Sequence, residues 1–303
     1  MERACGLALA GLLLCASAHA TSFEVCDRPK EPSADQRDVM LRFGAIVRDE
    51  LVASNHDVAL IARSGLDLHR IDVRYSHEGV AIKDNNGTPW SVRELYYSCE
   101  DHKPRVFDEG LAGFLMGTDD PDTSWVSLVF LPPERTEPLH ATAVDKRHAL
   151  GVLGTSYSAN AYPFSTLHEN CNQWVIELLA DAWGPVDEGA ETDARTRAQR
   201  WMRVQGYRPT VFTVSAHPMT WLGHLVPWLA NDDHPPEELA HDRYNVSMPA
   251  SIETFVQAKV PAATRVEICH AGRHVVLHRG WDAIADGCIA GPDDQTFELA
   301  PDE

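Results

Sequence analysis

Apolar residues at Val39, Met40, Phe43, Ile46, Val47 and Leu51 recur at helical spacing and predict a helix from Asp35 to Ala53. Val58 to Ala62 is a short continuous apolar run, the pattern of a buried strand. Ile71 to Ile82 is strand-like, Asn86-Gly87 is the pair favoured in a two-residue type I′ hairpin loop, and Trp90 to Tyr97 is the returning strand. Next come a short helix over Phe107–Met116, a strand over Trp125–Leu131 closed by Pro132-Pro133, and a helix over Ala143–Leu153. A loop rich in Tyr, Ser and Asn (residues 155–166) leads into a strong helix from Cys171 to Trp183. A helix over Asp193–Gln205 and a strand over Thr210–Ser215 follow. Then Trp221 to Leu229 is apolar, Asp232 to Pro236 is a break, Ile252 to Ala258 suits a short helix, and Arg265 to His278 suits a hairpin turning at Ala271-Gly272. Helices and antiparallel strands are segregated rather than alternating, which predicts an α+β fold.

The first residues have a different pattern. Glu2 and Arg3 precede an apolar run from Leu7 to Cys15, too short to span a bilayer, and Ala18-His19-Ala20 is a small-x-small cleavage site. Residues 1–20 therefore read as a signal peptide, and the mature chain as periplasmic or secreted. Cys15 follows Leu12-Leu13-Leu14, which does not suit a lipid-attachment site. No later apolar run is long enough to cross a membrane. A formal net charge of −19 argues against nucleic acid or an anionic membrane as partner.

Two of the seven cysteines lie within the leader. An oxidising compartment favours pairing of the rest. Cys269 and Cys288 flank a β-like stretch and make one expected bridge; Cys26 and Cys99 make the other. Cys171 is left over. It opens a helix in Asn170-Cys171-Asn172-Gln173-Trp174-Val175, where the helix dipole and unsatisfied first-turn N–H groups can favour a thiolate and an oxyanion. The second chemistry-bearing segment is Arg74-Tyr75-Ser76-His77-Glu78-Gly79, with a histidine early in a strand. If Asn86-Gly87 is a two-residue loop, paired positions place His77 opposite Tyr96, with Glu94 one diagonal away on the same face. Glu94 is then the candidate to orient the imidazole, with Tyr96 the alternative. A bulge would reverse that parity.

A helix-start cysteine with a strand histidine preceding it in a Ser-His-x-Gly segment resembles the circularly permuted papain-like proteins, including the permuted NlpC-type hydrolases and the lecithin:retinol acyltransferase group. Ser76 to Gly79, Trp90 and Asn170 to Trp174 together also resemble an uncharacterised secreted bacterial family, a domain of unknown function. The resemblance covers roughly residues 55–210. It implies a permuted papain-like core over 21–215, helices on an antiparallel sheet, with 216–303 a C-terminal extension packed on it. It also implies a thiol hydrolase or acyltransferase acting on an amide, ester or peptide bond: Cys171 attacks, His77 moves the proton and Glu94 holds His77.

The alternative is a non-catalytic envelope protein that binds a small molecule, lipid or peptide in the same cleft, walled by Tyr96, Tyr157, Tyr162 and Asn172. No cofactor or metal is expected. His270, His274 and His278 are spaced four apart, but Gly272 and Val275-Val276 favour a hairpin that scatters them. His234 and His241, in an acidic Pro-rich loop, read as solvated.

Overall fold

The computed structural model describes residues 32–300 except 67, 69–70, 86–87, 185–192 and 214–228. The leader, Cys26, the Asn86-Gly87 loop and nearly all of the Trp221–Leu229 run lie outside the described residues. Helix α1 (Ala34–Ala53) starts at Ser33, whose hydroxyl accepts from Gln36 N while the Gln36 side chain accepts from Ser33 N. Strands β1 (Val58–Arg63), β2 (His77–Asn85), β3 (Thr88–Ser98) and β4 (Lys103–Gly110) follow, then α2 (Leu111–Met116) and β5 (Thr123–Phe130). Helices α3 (Pro133–Val144), α4 (Lys146–Gly151), α5 (Cys171–Trp183) and α6 (Ala194–Gln205) precede β6 (Thr210–Thr213), α7 (Pro236–Leu239), β7 (Arg243–Val246) and α8 (Pro249–Lys259). Strands β8 (Thr264–Ala271), β9 (His274–Arg279) and β10 (Gln295–Glu298) end the described chain.

Eight strands form one antiparallel sheet in the order β10-β9-β8-β5-β1-β2-β3-β4, and β6 pairs with β7 separately. Strand alternation gives the large sheet two buried faces. Ala59, Ile61, Ala81, Val92, Val126 and Leu128 meet Val39, Phe43 and Val47 of α1 and Leu111 and Phe114 of α2. Val58, Leu60, Val80, Ile82 and Leu95 meet α3, α4, α5, α6 and α8 through Leu139, Ala149, Trp174, Met202 and Ile252. The protein is therefore α+β, with helices on both faces of a large antiparallel sheet.

Several expected elements differ. Residues 71–76 do not extend β2; Ser76 Oγ instead accepts from Gly65 N and Leu66 N, pinning this stretch across the end of β1. The expected helix over 107–116 is half strand: β4 closes the free edge of β3, with Leu95 opposite Val106. Pro132-Pro133 does not stop the chain but starts α3, because proline at the first helical position lacks only an N–H that would be unpaired there. The C-terminal residues add β8, β9 and β10 to the large sheet, β8 pairing along the whole of β5.

The β2–β3 hairpin keeps the expected register, Val80 opposite Arg93 and Asn85 opposite Thr88. It does so although buried Trp90 sits at φ 60, a strained conformation for a bulky residue. The Cys269–Cys288 bridge is present, and Cys99 is also disulfide-bonded. Among the described residues no helix is long and apolar enough to cross a membrane.

Candidate functional site

The hairpin register brings His77 and Glu94 together. His77 Nε2 donates to Glu94 Oε2 at 2.6 Å, and the imidazole stacks on Tyr96 with ring centroids 4.7 Å apart. Two partners escaped the sequence. Arg63, opposite His77 on β1, donates to Tyr96 Oη at 2.7 Å and to Gly117 O. Glu109 of β4 hydrogen-bonds to Glu94, which requires one of these two carboxyls to carry a proton. Burial pushes Glu94 up to about 7, opposed by the Arg63 charge. Burial and then the charge of Glu94 push Glu109 up to about 8. Glycines crowd this cluster: a Cβ at Gly113 would strike the Glu109 carboxyl, and one at Gly65 or Gly117 the Arg63 guanidinium. The packing leaves little room for a substrate between these groups.

Cys171 is elsewhere. His77 pairs with Arg63 on the alternation that carries Ile61 and Ala81, and its ring lies 6.0 Å from that of Phe114 in α2. Cys171 opens α5 and packs with Val80, Leu95 and Trp174 on the opposite face. Cys171 thus packs in the cluster on the α5 face and His77 beside Phe114 on the α2 face, while Asn172 Nδ2 reaches Ser76 O, the residues next to each. The hairpin parity is as expected, with Glu94 meeting His77. Cys171 is free and 8% exposed. Its helix is capped by Asn170, whose side chain accepts from Gln173 N at 2.7 Å.

The polar groups that do face the start of α5 come from other residues. Asn172 Nδ2 donates to Ser76 O at 3.2 Å and reaches Met248 Sδ at 3.9 Å, joining α5 to β2 and to the start of α8. Glu78, the neighbour of His77, points to this face by alternation and is 1% exposed. Its carboxyl is held well above its ordinary range by burial and then by the charge of Glu253. Tyr207 Oη donates to Ser247 Oγ and lies 2.9 Å from Ser251 Oγ, and it feels the charge of Glu78. Glu253 is paired with Arg265 at 3.0 Å.

Of the other expected wall residues, Tyr157 stacks on Tyr97 (5.1 Å between centroids) against the Cys171 side of the core. Tyr96 belongs to the His77 face. Tyr162 lies against Phe164 and His234, and its backbone N–H donates to Asp233. His234 is buried rather than solvated, bonding Asn160 O at 2.7 Å and meeting Tyr244 edge-on, whereas His241 is exposed. The hairpin scatters the spaced histidines: His270 is buried beside Phe43, and His274 and His278 bond Glu298 and Asp294.

The architecture defines an α+β protein built on one large antiparallel sheet. Within that class, residues 50–256 match the family described as an uncharacterised protein conserved in bacteria, DUF2145, and the chain belongs to it. No curated protein and no solved structure matches it.

Proposed function

We propose that the chain is exported by its N-terminal leader and serves in the cell envelope as a ligand-binding protein rather than as a thiol hydrolase. The observation that supports this reading is the sheet between Cys171 and His77. A thiol needs a base or cation within a few ångströms to become a competent nucleophile, and strand alternation directs the imidazole away from α5. The Cys269–Cys288 bridge is compatible with an extracytoplasmic site of action. The ligand is a small molecule, lipid or peptide, engaged at the start of α5 near Asn172 and Tyr157.

One observation favours the other reading, a permuted papain-like hydrolase or acyltransferase. Cys171 is the free cysteine among the described residues, and it opens a helix packed on the strand pair that carries the Ser-His-x-Gly segment. Brief alkylation with iodoacetamide at pH 6, read by peptide mass spectrometry, separates the two. The binding reading expects Cys171 to label no faster than a free cysteine and His77→Ala to leave the pH profile unchanged. Fast labelling that His77→Ala shifts to higher pH restores the dyad and removes the binding reading.

A further inference from the structure

Three buried oxygens around the junction of β2, α5 and α8 lack a hydrogen-bond donor: Glu78 Oε2, Asn172 Oδ1 and Glu253 Oε1. Asn172 is 2% exposed and Glu78 1%. Of the nearby hydroxyls, Tyr207 donates to Ser247, Ser251 donates to Met248 O at 2.7 Å, and Ser127 hydrogen-bonds to Glu253 but leaves its Oε1 without a donor. Buried acceptors without donors are rare in native proteins and each is destabilising, by about 1–3 kcal/mol. Their concentration at one junction calls for an occupant. Arg265 balances Glu253, so the junction can take up one further positive charge, at Glu78.

We propose that this junction, resting on the binding reading above, receives a primary ammonium group donated to Glu78, Asn172 and Glu253. An ammonium carries three N–H donors and no acceptor, which matches three acceptors with no donor. Water carries only two donors and brings lone pairs that need donors of their own. Among the described residues no three His, Cys, Asp or Glu side chains are arranged to hold a metal ion. On binding, the Glu78 carboxyl gives its proton to solvent and the carboxylate pairs with the ammonium; no covalent bond forms or breaks. Cys171, next to Asn172 in the chain, is buried at 8% exposure, as is Glu253.

Two sources supply such a group, a small free amine and the amino terminus of a peptide. The test is isothermal calorimetry on the mature protein with methylammonium, with the dipeptide Ala-Ala, and with its N-acetylated form, each in two buffers of different ionisation enthalpy. The expected result is binding of one or both free amines, release of about one proton per ligand at neutral pH, and no binding of the acetylated dipeptide. A response to methylammonium assigns a small amine; a response to the dipeptide alone assigns a peptide terminus. Glu78→Gln should weaken binding about tenfold or more and abolish the proton release, as loss of a charge-assisted contact requires. Should that variant not fold, the proton count in the wild type decides. Equal binding of the acetylated dipeptide, unchanged affinity in Glu78→Gln, or no binding of either amine overturns the proposal. Failure here with a slow-labelling Cys171 leaves the binding reading standing, whereas a fast-labelling, His77-dependent thiol removes that reading whatever the calorimetry gives.

Discussion

Both faces of the sheet carry a buried acid, Glu94 of β3 on one and Glu78 of β2 on the other, yet the two meet different surroundings. On the α1–α2 face, Glu94 is met by His77, Arg63 stands beside it, and Glu109 shares a proton with it. On the α5–α8 face, Glu78 has no hydrogen-bond partner for Oε2, and the nearest charge acting on it is another carboxylate. Each face keeps buried atoms without a partner, Glu94 Oε1 and Arg63 Nε on the first and Glu78 Oε2 on the second, but the Arg63 charge favours the ionised acids of the first, while the charge acting on Glu78 is negative. The difference is one of charge: the His77 face sets its acids beside a guanidinium and an imidazole, whereas Glu78 is set beside a like charge. The candidate ligand side is one residue further along the strand.

The largest effect that tests this contrast is at Arg63. Its charge acts on both Glu94 and Glu109, and it also holds Tyr96 Oη and Gly117 O. Removing one member of a buried, paired network leaves the others uncompensated, so Arg63→Ala should lose about 3–5 kcal/mol in urea unfolding. A loss below about 1 kcal/mol would mean that the cluster is no structural keystone and would return it to the list of candidate sites.

Glu78 should behave in the reverse sense. The folded state holds its proton well above the ordinary glutamate range, so folding at neutral pH works against ionisation in the unfolded chain. Glu78→Gln keeps the shape and removes that conflict. Its ligand-free stability at pH 7 should rise by about 1–3 kcal/mol, with the gain shrinking toward pH 4. A destabilised variant at pH 7 would mean that Glu78 has a partner and that the two faces do not differ as described.

How much of this was legible in the sequence follows from what sets each feature. Hairpin register is local, fixed by loop length and alternation, and so His77, Glu94 and Tyr96 could be placed together from residue numbers alone. The side of the sheet on which α5 lands depends on packing between segments nearly a hundred residues apart, which periodicity does not encode. Glu109 was hidden because Phe107–Met116 carries apolar residues that suit a helix as well as a strand; only the open edge of β3 decides. Glu78 was overlooked although it adjoins the motif, because a side chain is judged by its face, and the face was assigned through His77. The Cys269–Cys288 bridge was legible because a short separation brackets a hairpin. The buried His234 was not, since the residues that enclose it, Asn160 and Tyr244, lie far from it or in a strand too short to recognise.

The smallest expected effect concerns the shared proton. Glu94 and Glu109 are raised from 4.5 to about 7 and about 8, so the folded protein binds more protons than the unfolded chain between these limits. Stability then falls with rising pH: the contribution is complete below about pH 4.5 and is lost as pH passes through 7 to 8. Glu109→Gln removes one of the two titrating carboxyls while leaving an amide that can donate to Glu94 Oε1. Relative to wild type, the variant should lose stability at pH 5, where the wild-type pair is fully protonated, by no more than the cost of an imperfect hydrogen bond. That deficit should close and then reverse toward pH 8.5, where the wild type would hold two negative charges beside one Arg63. Urea midpoints for both proteins across this range measure the difference directly, since every other titrating group cancels in it. A difference independent of pH would show that no proton is shared, and the contrast between the two faces would then rest on Arg63 and His77 alone.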